Sequence, residues 1–474
     1  NKETRQILIK IYEKQFNEEV KNISNLVRSG SNREYYRIRS DNNSAIGVYN
    51  SDKKENIAFI EFTKHFLENG LNAPKIYQTD LGKNAYLEED LGDVTLFGFL
   101  SNVYQKGIFP RRLIDVYKNV LTTLPKIQIA IDKKIDYSKC YPRDSFDRQS
   151  MMWDLNYFKY YFLKLAKVSF DEQLLEDDFQ KFCDYLLDVD NNFFLYRDFQ
   201  SRNIMLKDKD IYFIDYQGGR KGALQYDVAS LLYDAKANIP EHIRKQLLKH
   251  YIDELQNYIK IDKQKFIQQY YGYVLIRIMQ AMGAYGFRGF YERKEHFLKS
   301  IPYAIKNMKY ILDNVELPIK IPVLLDVLNN VVGSKWLGKI GKEKNNLKVR
   351  INSFAYKKGI PGDAEGNGGG FVFDCRGILN PGRIDEYKSL TGKDKRVQEF
   401  LENKTVINDF LTNVFVMVDR TVENYLNRNF TDLLVNFGCT GGQHRSVYCA
   451  EKLFKHLEDK FGISIILNHR ELES

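Results

Sequence analysis

The sequence predicts an α+β domain of two lobes followed by a separate α/β domain, and three changes of pattern along the chain predict it. Residues 1–92 carry short β-type runs, residues 93–315 carry long helical segments, and residues 346–474 alternate strands with helices around glycine-rich turns. Residues 316–345 read as a helical linker ending in the charged run GKEKNNLK.

In the first lobe, REYYRIR at 33–39 and SAIGVYN at 44–50 flank the turn signal DNNS and read as a hairpin. Asn56 to Asn69 places Ile57, Ile60, Phe62 and Phe66 at helical spacing and stops at Gly70. A further strand, AYLEEDLG, is expected from Ala85 to Gly92. The second lobe contributes helices over Leu113 to Ile131, Asp177 to Leu187 and Lys263 to Met282, and the linker a helix from Ile321 to Leu337. In the last segment LKVRINSFAY, FVFDCRG, TDLLVNFG and ISIILNH read as strands, and SVYCAEKLFKHLEDKFG reads as a helix. The glycine tract Gly366 to Gly370 reads as a flexible loop.

A chain of 474 residues exceeds one ordinary core, and 43% hydrophobic residues with only ten prolines describe a globular protein rather than a disordered or fibrous one. The formal charge of +9 is mild for this length and favours phosphate-bearing partners without requiring nucleic acid. Five scattered cysteines with no CxxC pair indicate neither a disulfide framework nor a zinc site, so a reducing cytoplasm is expected. No run approaches the roughly 18 apolar residues of a membrane span, and NKETRQ reads as neither signal nor transit peptide. No membrane partner is expected, and oligomeric state is left open.

The most informative run is FFLYRDFQSRNIMLKDKDIYFIDYQ, Phe193 to Gln217. An apolar strand delivers Asp198, Asn203 follows, and Asp215 ends a second apolar strand, IYFID. Phosphoryl transfer needs a carboxylate to accept the proton of the attacking hydroxyl and oxygen ligands to hold Mg²⁺ against the phosphates. Asp198 is the expected base and Asn203 and Asp215 the expected metal ligands, with hairpin-like strands bringing the two aspartates together. The fold class that follows is a protein-kinase-like bilobal domain using ATP.

These residues resemble the aminoglycoside phosphotransferase family, and within it the bacterial N-acetylmuramate/N-acetylglucosamine anomeric kinases, over about residues 20–310. The likeness extends to Ser29-Gly30-Ser31-Asn32-Arg33 in the phosphate-loop position, YLEEDLG as the adenine-receiving segment, YDVASLLYDA, RIMQAMGAYGF and FLKSIPYAI. It implies Ser31, Asn32, Arg33, Glu88, Glu89 and Leu91 as ATP-binding residues and an amino sugar as acceptor. One departure stands out. The third strand of such folds holds a lysine on the α- and β-phosphates, and SAIGVYN has none. Lys53, Lys54, Arg33 and Arg37 are the candidates to replace it, and the sequence does not choose among them; Glu61, the usual partner of that lysine, reads as a solvated helix-face residue.

The second informative run is LLVNFGCTGGQHRSVYCAEKLF, Leu433 to Phe454. A strand ending at Gly438, the turn Gly441-Gly442 and a helix starting near Ser446 make an anion cradle of freed N–H groups, with His444 and Arg445 as charged donors. Cys439 and Arg445 also stand in the C-x₅-R spacing of cysteine-dependent phosphatases, against which Gly438 replaces the usual histidine. With SFAYKKGIP, FDCRGILNPG, LTGKDKRVQEFL and NHREL in order, residues 346–474 resemble the C-terminal domain of the RapZ RNase adapter family. That resemblance implies binding of glucosamine 6-phosphate or a related metabolite such as a UDP-sugar through Lys357, Thr440, Gly441, Gly442, His444, Arg445 and Ser446, with Asp374 and Arg376 nearby. The family's nucleotide-binding domain is replaced here by the kinase-like one, and its basic tail is not found at HRELES, so small-ligand sensing is expected over RNA binding.

The combined expectation is an ATP- and Mg²⁺-dependent amino-sugar kinase whose C-terminal domain senses an amino-sugar phosphate or nucleotide sugar. The competing expectation is a non-enzymatic adapter with a degenerate kinase lobe.

Overall fold

The structure is a computed structural model, and it describes residues 2–26, 33–104, 109–131, 133, 135–340, 347–363, 366, 370–428, 430–461 and 463–472. The chain folds as two compact units, one of residues 1–292 and 296–341, the other of 342–474 with 293–295.

The first unit opens with helix α1 (Lys2–Phe16) and a five-stranded antiparallel sheet of β1 (Asn22–Asn25), β2 (Glu34–Arg39), β3 (Ser44–Tyr49), β4 (Ile76–Asp80) and β5 (Ala85–Glu89), ordered β1-β2-β3-β5-β4. The expected hairpin forms, in a register running from Glu34 opposite Tyr49 to Arg39 opposite Ser44. Because side chains alternate across a strand, the sheet has two apolar faces with different partners. Tyr36, Ile38, Ala45 and Leu87 bury against Leu8, Ile11 and Tyr12 of α1. That approach is so close that a Cβ on Gly47 would lie 2.9 Å from Ile38 Cδ1, which is why β3 carries a glycine there. Ile46, Val48 and Tyr86 face the opposite way, into the main core with Phe59, Phe62 and Phe66 of α2 (Lys53–Glu68). Asp52 caps α2, its carboxylate accepting from Lys54 N and Glu55 N at 3.1 and 3.2 Å, so the helix begins earlier than Asn56. The polar runs NISN and IYQTD form β1 and β4; as edge strands they have little apolar signature to read.

The helical lobe comprises α3 (Leu96–Val103), α4 (Arg111–Pro125), α5 (Arg148–Phe158), α6 (Glu172–Leu187), α7 (Gln225–Leu232), α8 (Glu241–Leu255), α9 (Lys263–Tyr285), the short α10 (Glu295–Leu298) and α11 (Ile301–Asn314). The predicted helix to Ile131 instead widens to a π-turn over Lys126–Ala130 after Pro125. The expected helix from Ile321 to Leu337 is broken at Ser334 into α12 (Pro322–Gly333) and α13 (Lys335–Lys339), Ser334 capping the second. Four short strands carry the central loops: β6 (Phe193–Leu195), β7 (Ile204–Lys207), β8 (Asp210–Phe213) and β9 (Arg220–Gly222). Here the expected pairing is corrected. β6 pairs with β9 and β7 with β8, so the strands before Asp198 and Asp215 are not partners.

The second unit is a four-stranded parallel sheet ordered β11-β12-β10-β13, from β10 (Lys348–Ala355), β11 (Phe371–Asp374), β12 (Asp432–Cys439) and β13 (Ser464–His469). Helices α14 (Lys395–Lys404), α15 (Ile407–Asn427) and α16 (Arg445–Lys460) connect the strands, and Val349, Ile351, Val435 and Phe437 share a core with Val414, Val418 and Leu453. Among the described residues no helix is long and apolar enough to cross a membrane, and all five cysteines are free.

Candidate active site and anion loop

The Asp198 loop is built from backbone strain held by buried partners. Arg197 and Asp215, non-glycine residues, both take positive φ, 82° and 67°. Asp227, at the start of α7, holds the first bend: its carboxylate accepts from Tyr196 N at 2.8 Å, Arg197 N at 3.1 Å and Gln128 Nε2 at 3.2 Å. The Arg197 guanidinium forms a two-bond fork with Asp154, at 2.6 and 2.8 Å, under the rings of Phe146 and Tyr226. Tyr196 Oη donates to Ile214 O at 2.6 Å and ties this loop to the one bearing Asp215. Nothing in the spacing of the catalytic run announced Asp227 or Asp154. YDVASLLYDA contains Asp227, and its clue was an acid inside an apolar helix.

Asn203 brings the two aspartates together. Its Nδ2 donates to Asp198 O at 2.9 Å and to Asp215 Oδ2 at 3.1 Å, while Gln217 Nε2 donates to Asp215 Oδ1 at 2.7 Å. Burial pushes the Asp215 carboxyl above its ordinary range and the charge of Asp198 adds to the push. Two carboxylates in one field with an amide oxygen beside them form a hard-oxygen set that suits a divalent cation. Among the described residues no group of three His, Cys, Asp or Glu converges. The Asp198 carboxylate, half-buried, makes no hydrogen bond among the described residues, and Arg197, Arg220 and Arg277 lie within its electrostatic reach.

On the helical side Asp198 opens into a cavity of about 90 Å³ lined by Gln200, Arg202, Asp234, Arg277 and Gln280 among others. On the sheet side the remaining expected nucleotide residues separate. Ser31 and Asn32 lie outside the described residues. Arg33 is buried at 1% exposure and pairs with Glu55 at 3.3 Å. Glu88 is buried on β5; burial pushes its carboxyl up to about 8, Arg33 drawing it down and Asp215 adding to the rise. Glu89 pairs with Lys207 at 2.8 Å, and Leu91 is buried. Arg37 clamps the segment that follows β5, its Nε 2.9 Å from Asp90 and its Nη1 2.9 Å from Asp93. Lys53 and Lys54 are exposed at the start of α2, and Glu61 is half-buried on that helix.

In the second unit Lys357, Asp374, Arg376 and the 440–446 loop all follow carboxyl ends of parallel strands, the edge where open α/β sheets bind ligands. Gly442 has φ 71°, and α16 begins at Arg445 with no side-chain cap, so its first N–H groups face the loop. Thr440 and Gly441 are exposed and Ser446 is buried. The two charged residues expected to face the anion are instead turned into the scaffold. Arg445 Nη1 donates to Arg376 O at 3.1 Å and Ile378 O at 2.6 Å, and His444 Nε2 lies 2.9 Å from Tyr387 O. Arg445 Nη2 reaches back toward Thr440 Oγ1 at 3.4 Å. Arg376 forks onto Asp374 at 2.7 to 3.0 Å over the Tyr356 ring, and Lys357 is exposed. Cys439, 2% exposed, has its Sγ 3.2 Å from both Gly442 N and Ser446 Oγ. The thiol is an internal tie of the loop, and it is its burial that argues against use as a phosphatase nucleophile.

Fold and site together define a protein-kinase-like domain joined to an α/β domain with a parallel sheet. Residues 26–260 match the phosphotransferase enzyme family and residues 347–473 match the RapZ C-terminal domain, so the chain joins a domain of the one family to a domain of the other. A curated nucleotide-binding protein of Thermosipho melanesiensis is 36% identical over 172 residues, 35% of this chain and 59% of that protein. One of Alkaliphilus oremlandii is 34% identical over 163 residues, 34% of this chain and 51% of that protein. The chain spans about half the length of the curated relatives it matches. Among solved structures, choline kinase from Cryptosporidium parvum aligns over 69% of this chain and 99% of its own, with 12% identity and TM-score 0.46. Ethanolamine kinase of Plasmodium vivax aligns over 63% and 84%, with 14% identity and TM-score 0.44.

Proposed function

We propose that the first unit is an ATP- and Mg²⁺-dependent kinase of an amino sugar, N-acetylmuramate or N-acetylglucosamine, and that the second binds a phosphorylated amino sugar or UDP-sugar. The observation that carries the reading is the Asn203 bridge between the Asp198 backbone and the Asp215 carboxylate, with the Asp198 side chain making no hydrogen bond among the described residues and lining a cavity. Asp198 accepts the proton of the acceptor hydroxyl and orients it toward the terminal phosphate. Asp215 and the Asn203 side-chain oxygen would hold Mg²⁺, which when bound neutralises charge on the phosphates. Arg202 and Arg277 on the cavity wall suit an acceptor bearing a carboxylate, which favours N-acetylmuramate. In the second unit the phosphate is held by backbone N–H groups of 440–446, Thr440 and exposed Lys357, while Arg445 and His444 fix the loop.

Phosphorus NMR of the product from ATP and each sugar tests the kinase, identifying the sugar and the hydroxyl modified; absence of a phosphosugar with every member of an amino-sugar panel sinks it. Calorimetry with glucosamine 6-phosphate and UDP-N-acetylglucosamine tests the second site. If either ligand binds and turnover changes, the second unit regulates the first; binding without change removes regulation. The rival reading, a nucleotide-binding adapter without catalysis, draws on the aliphatic inward positions Ile46 and Val48 of β3. RNA binding at physiological salt would favour it.

A further inference from the structure

β2 and β3 meet the nucleotide side of the sheet with alternate residues. Ile46 and Val48 of β3 point into the main core and carry no charge, so this strand supplies no cation to the phosphates. Of the cations nearby, Lys53 and Lys54 are exposed at the helix start, and Arg37 is clamped between Asp90 and Asp93 beside Gly92. Arg33 remains. Two residues before Tyr35 and four before Arg37, it falls on the same side of the strand by the two-residue repeat. Its guanidinium is 3.3 Å from Glu55 Oε1 and 5.8 Å from the Phe59 ring centre, both on α2. Glu55 is itself fixed: Asn50 Nδ2 donates to its Oε2 at 2.7 Å, and its position in the first turn of α2 favours a carboxylate. The charge of Arg33 reaches Asp215, the expected metal ligand, and Glu88.

We propose that Arg33 replaces the missing strand lysine: held by Glu55 of α2, it contacts the β-phosphate of the bound nucleotide from the neighbouring strand. The proposal rests on the kinase reading for its nucleotide but makes a separate claim, that affinity for a diphosphate depends on Arg33. A guanidinium suits this place because its five N–H groups lie in a planar fork, so that it can hold Glu55 and the Tyr35 hydroxyl and meet a phosphate oxygen along another edge, which a lysine ammonium does less well.

The test is calorimetry on the full chain with Mg²⁺, comparing ADP with adenosine for the wild type, Arg33→Met and Arg33→Lys. Loss of a charge-assisted contact to phosphate is expected to weaken ADP binding by roughly tenfold or more in Arg33→Met, with adenosine affinity unchanged and Arg33→Lys intermediate. Equal weakening of ADP and adenosine, or no change in either, overturns the proposal in favour of a structural Arg33–Glu55 pair. Should Arg33→Met not fold, Arg33→Lys decides alone: an unchanged ratio of ADP to adenosine affinity overturns the proposal, and a lowered ratio supports it. Wild-type protein that binds ADP through Arg33 but phosphorylates no sugar refutes the kinase reading and leaves this assignment standing; wild-type protein that binds neither nucleotide refutes both.

Discussion

In the proposed function the Asp198 loop and the 440–446 loop both receive phosphate, and they are built in different ways. Around Asp198 and Asp215 two acids share one field, and burial raises the Asp215 carboxyl, the charge of Asp198 adding to the rise while Arg33 and Arg202 draw it down. In the 440–446 loop the basic side chains are already bonded: Arg445 and His444 meet backbone carbonyls, which leaves the proposed anion to backbone N–H groups. A site that must move a phosphoryl group keeps groups whose charge changes during reaction; a site that only binds needs fixed dipoles in a rigid turn. The strain differs in the same sense. Arg197 and Asp215 carry positive φ without being glycine, whereas the anion loop places Gly442 at its left-handed position.

Four substitutions probe this contrast, in descending order of expected effect. Asp198→Asn removes the proton acceptor while preserving shape, and initial rates should fall by about 10²- to 10⁴-fold with the melting temperature unchanged; retained turnover would show that the carboxylate is not the base. Asp227→Ala leaves the buried N–H groups of Tyr196 and Arg197 without their acceptor, and urea unfolding should show a loss of about 2–4 kcal/mol. A loss no larger than a surface substitution's would mean the strained bend holds itself.

Gly442→Ala tests the other loop. A Cβ there would lie 2.9 Å from Ala355 N and 2.3 Å from Glu471 Cγ, at φ 71°. Unfolding of the second unit should become easier by about 1–3 kcal/mol.

The smallest effect concerns pH. Glu88 has its folded pKa raised to about 8 from 4.5, so the folded state holds the proton more tightly. Its contribution to stability is fully present below about 4.5 and declines as pH rises through about 8. Glu88→Gln, which stays neutral, should flatten that part of the melting-temperature profile measured without metal. An identical slope in the variant would mean Glu88 is not the group titrating.

Much of this was legible along the chain because the key residues are close in sequence. Asp198, Asn203 and Asp215 sit in one run, so one loop-and-strand pattern displays them, and the glycines of the 440–446 turn precede their helix directly. The β2–β3 hairpin was readable for the same reason, its turn and alternation being local. The strands flanking the catalytic run were legible but their partners were not, since β6 finds β9 and β7 finds β8 through contacts no spacing encodes. Likewise Arg445 and His444 were expected as charged donors to an anion, but the direction each side chain takes depends on the 376–387 loop packed beside it.

By itself, then, the sequence determined the order of two units, the candidates for base and metal ligands, and the glycine turn before the last long helix, because those follow from short-range stereochemistry and residue type. Only the tertiary structure decided that Asp227 and Asp154 brace the strained loop, that Arg37 holds the segment after β5, and that Arg33 is a buried cation whose charge reaches Asp215. The physical reason is that a buried charge takes its role from whichever opposite charges folding places around it, and those neighbours come from strands and helices far apart along the chain.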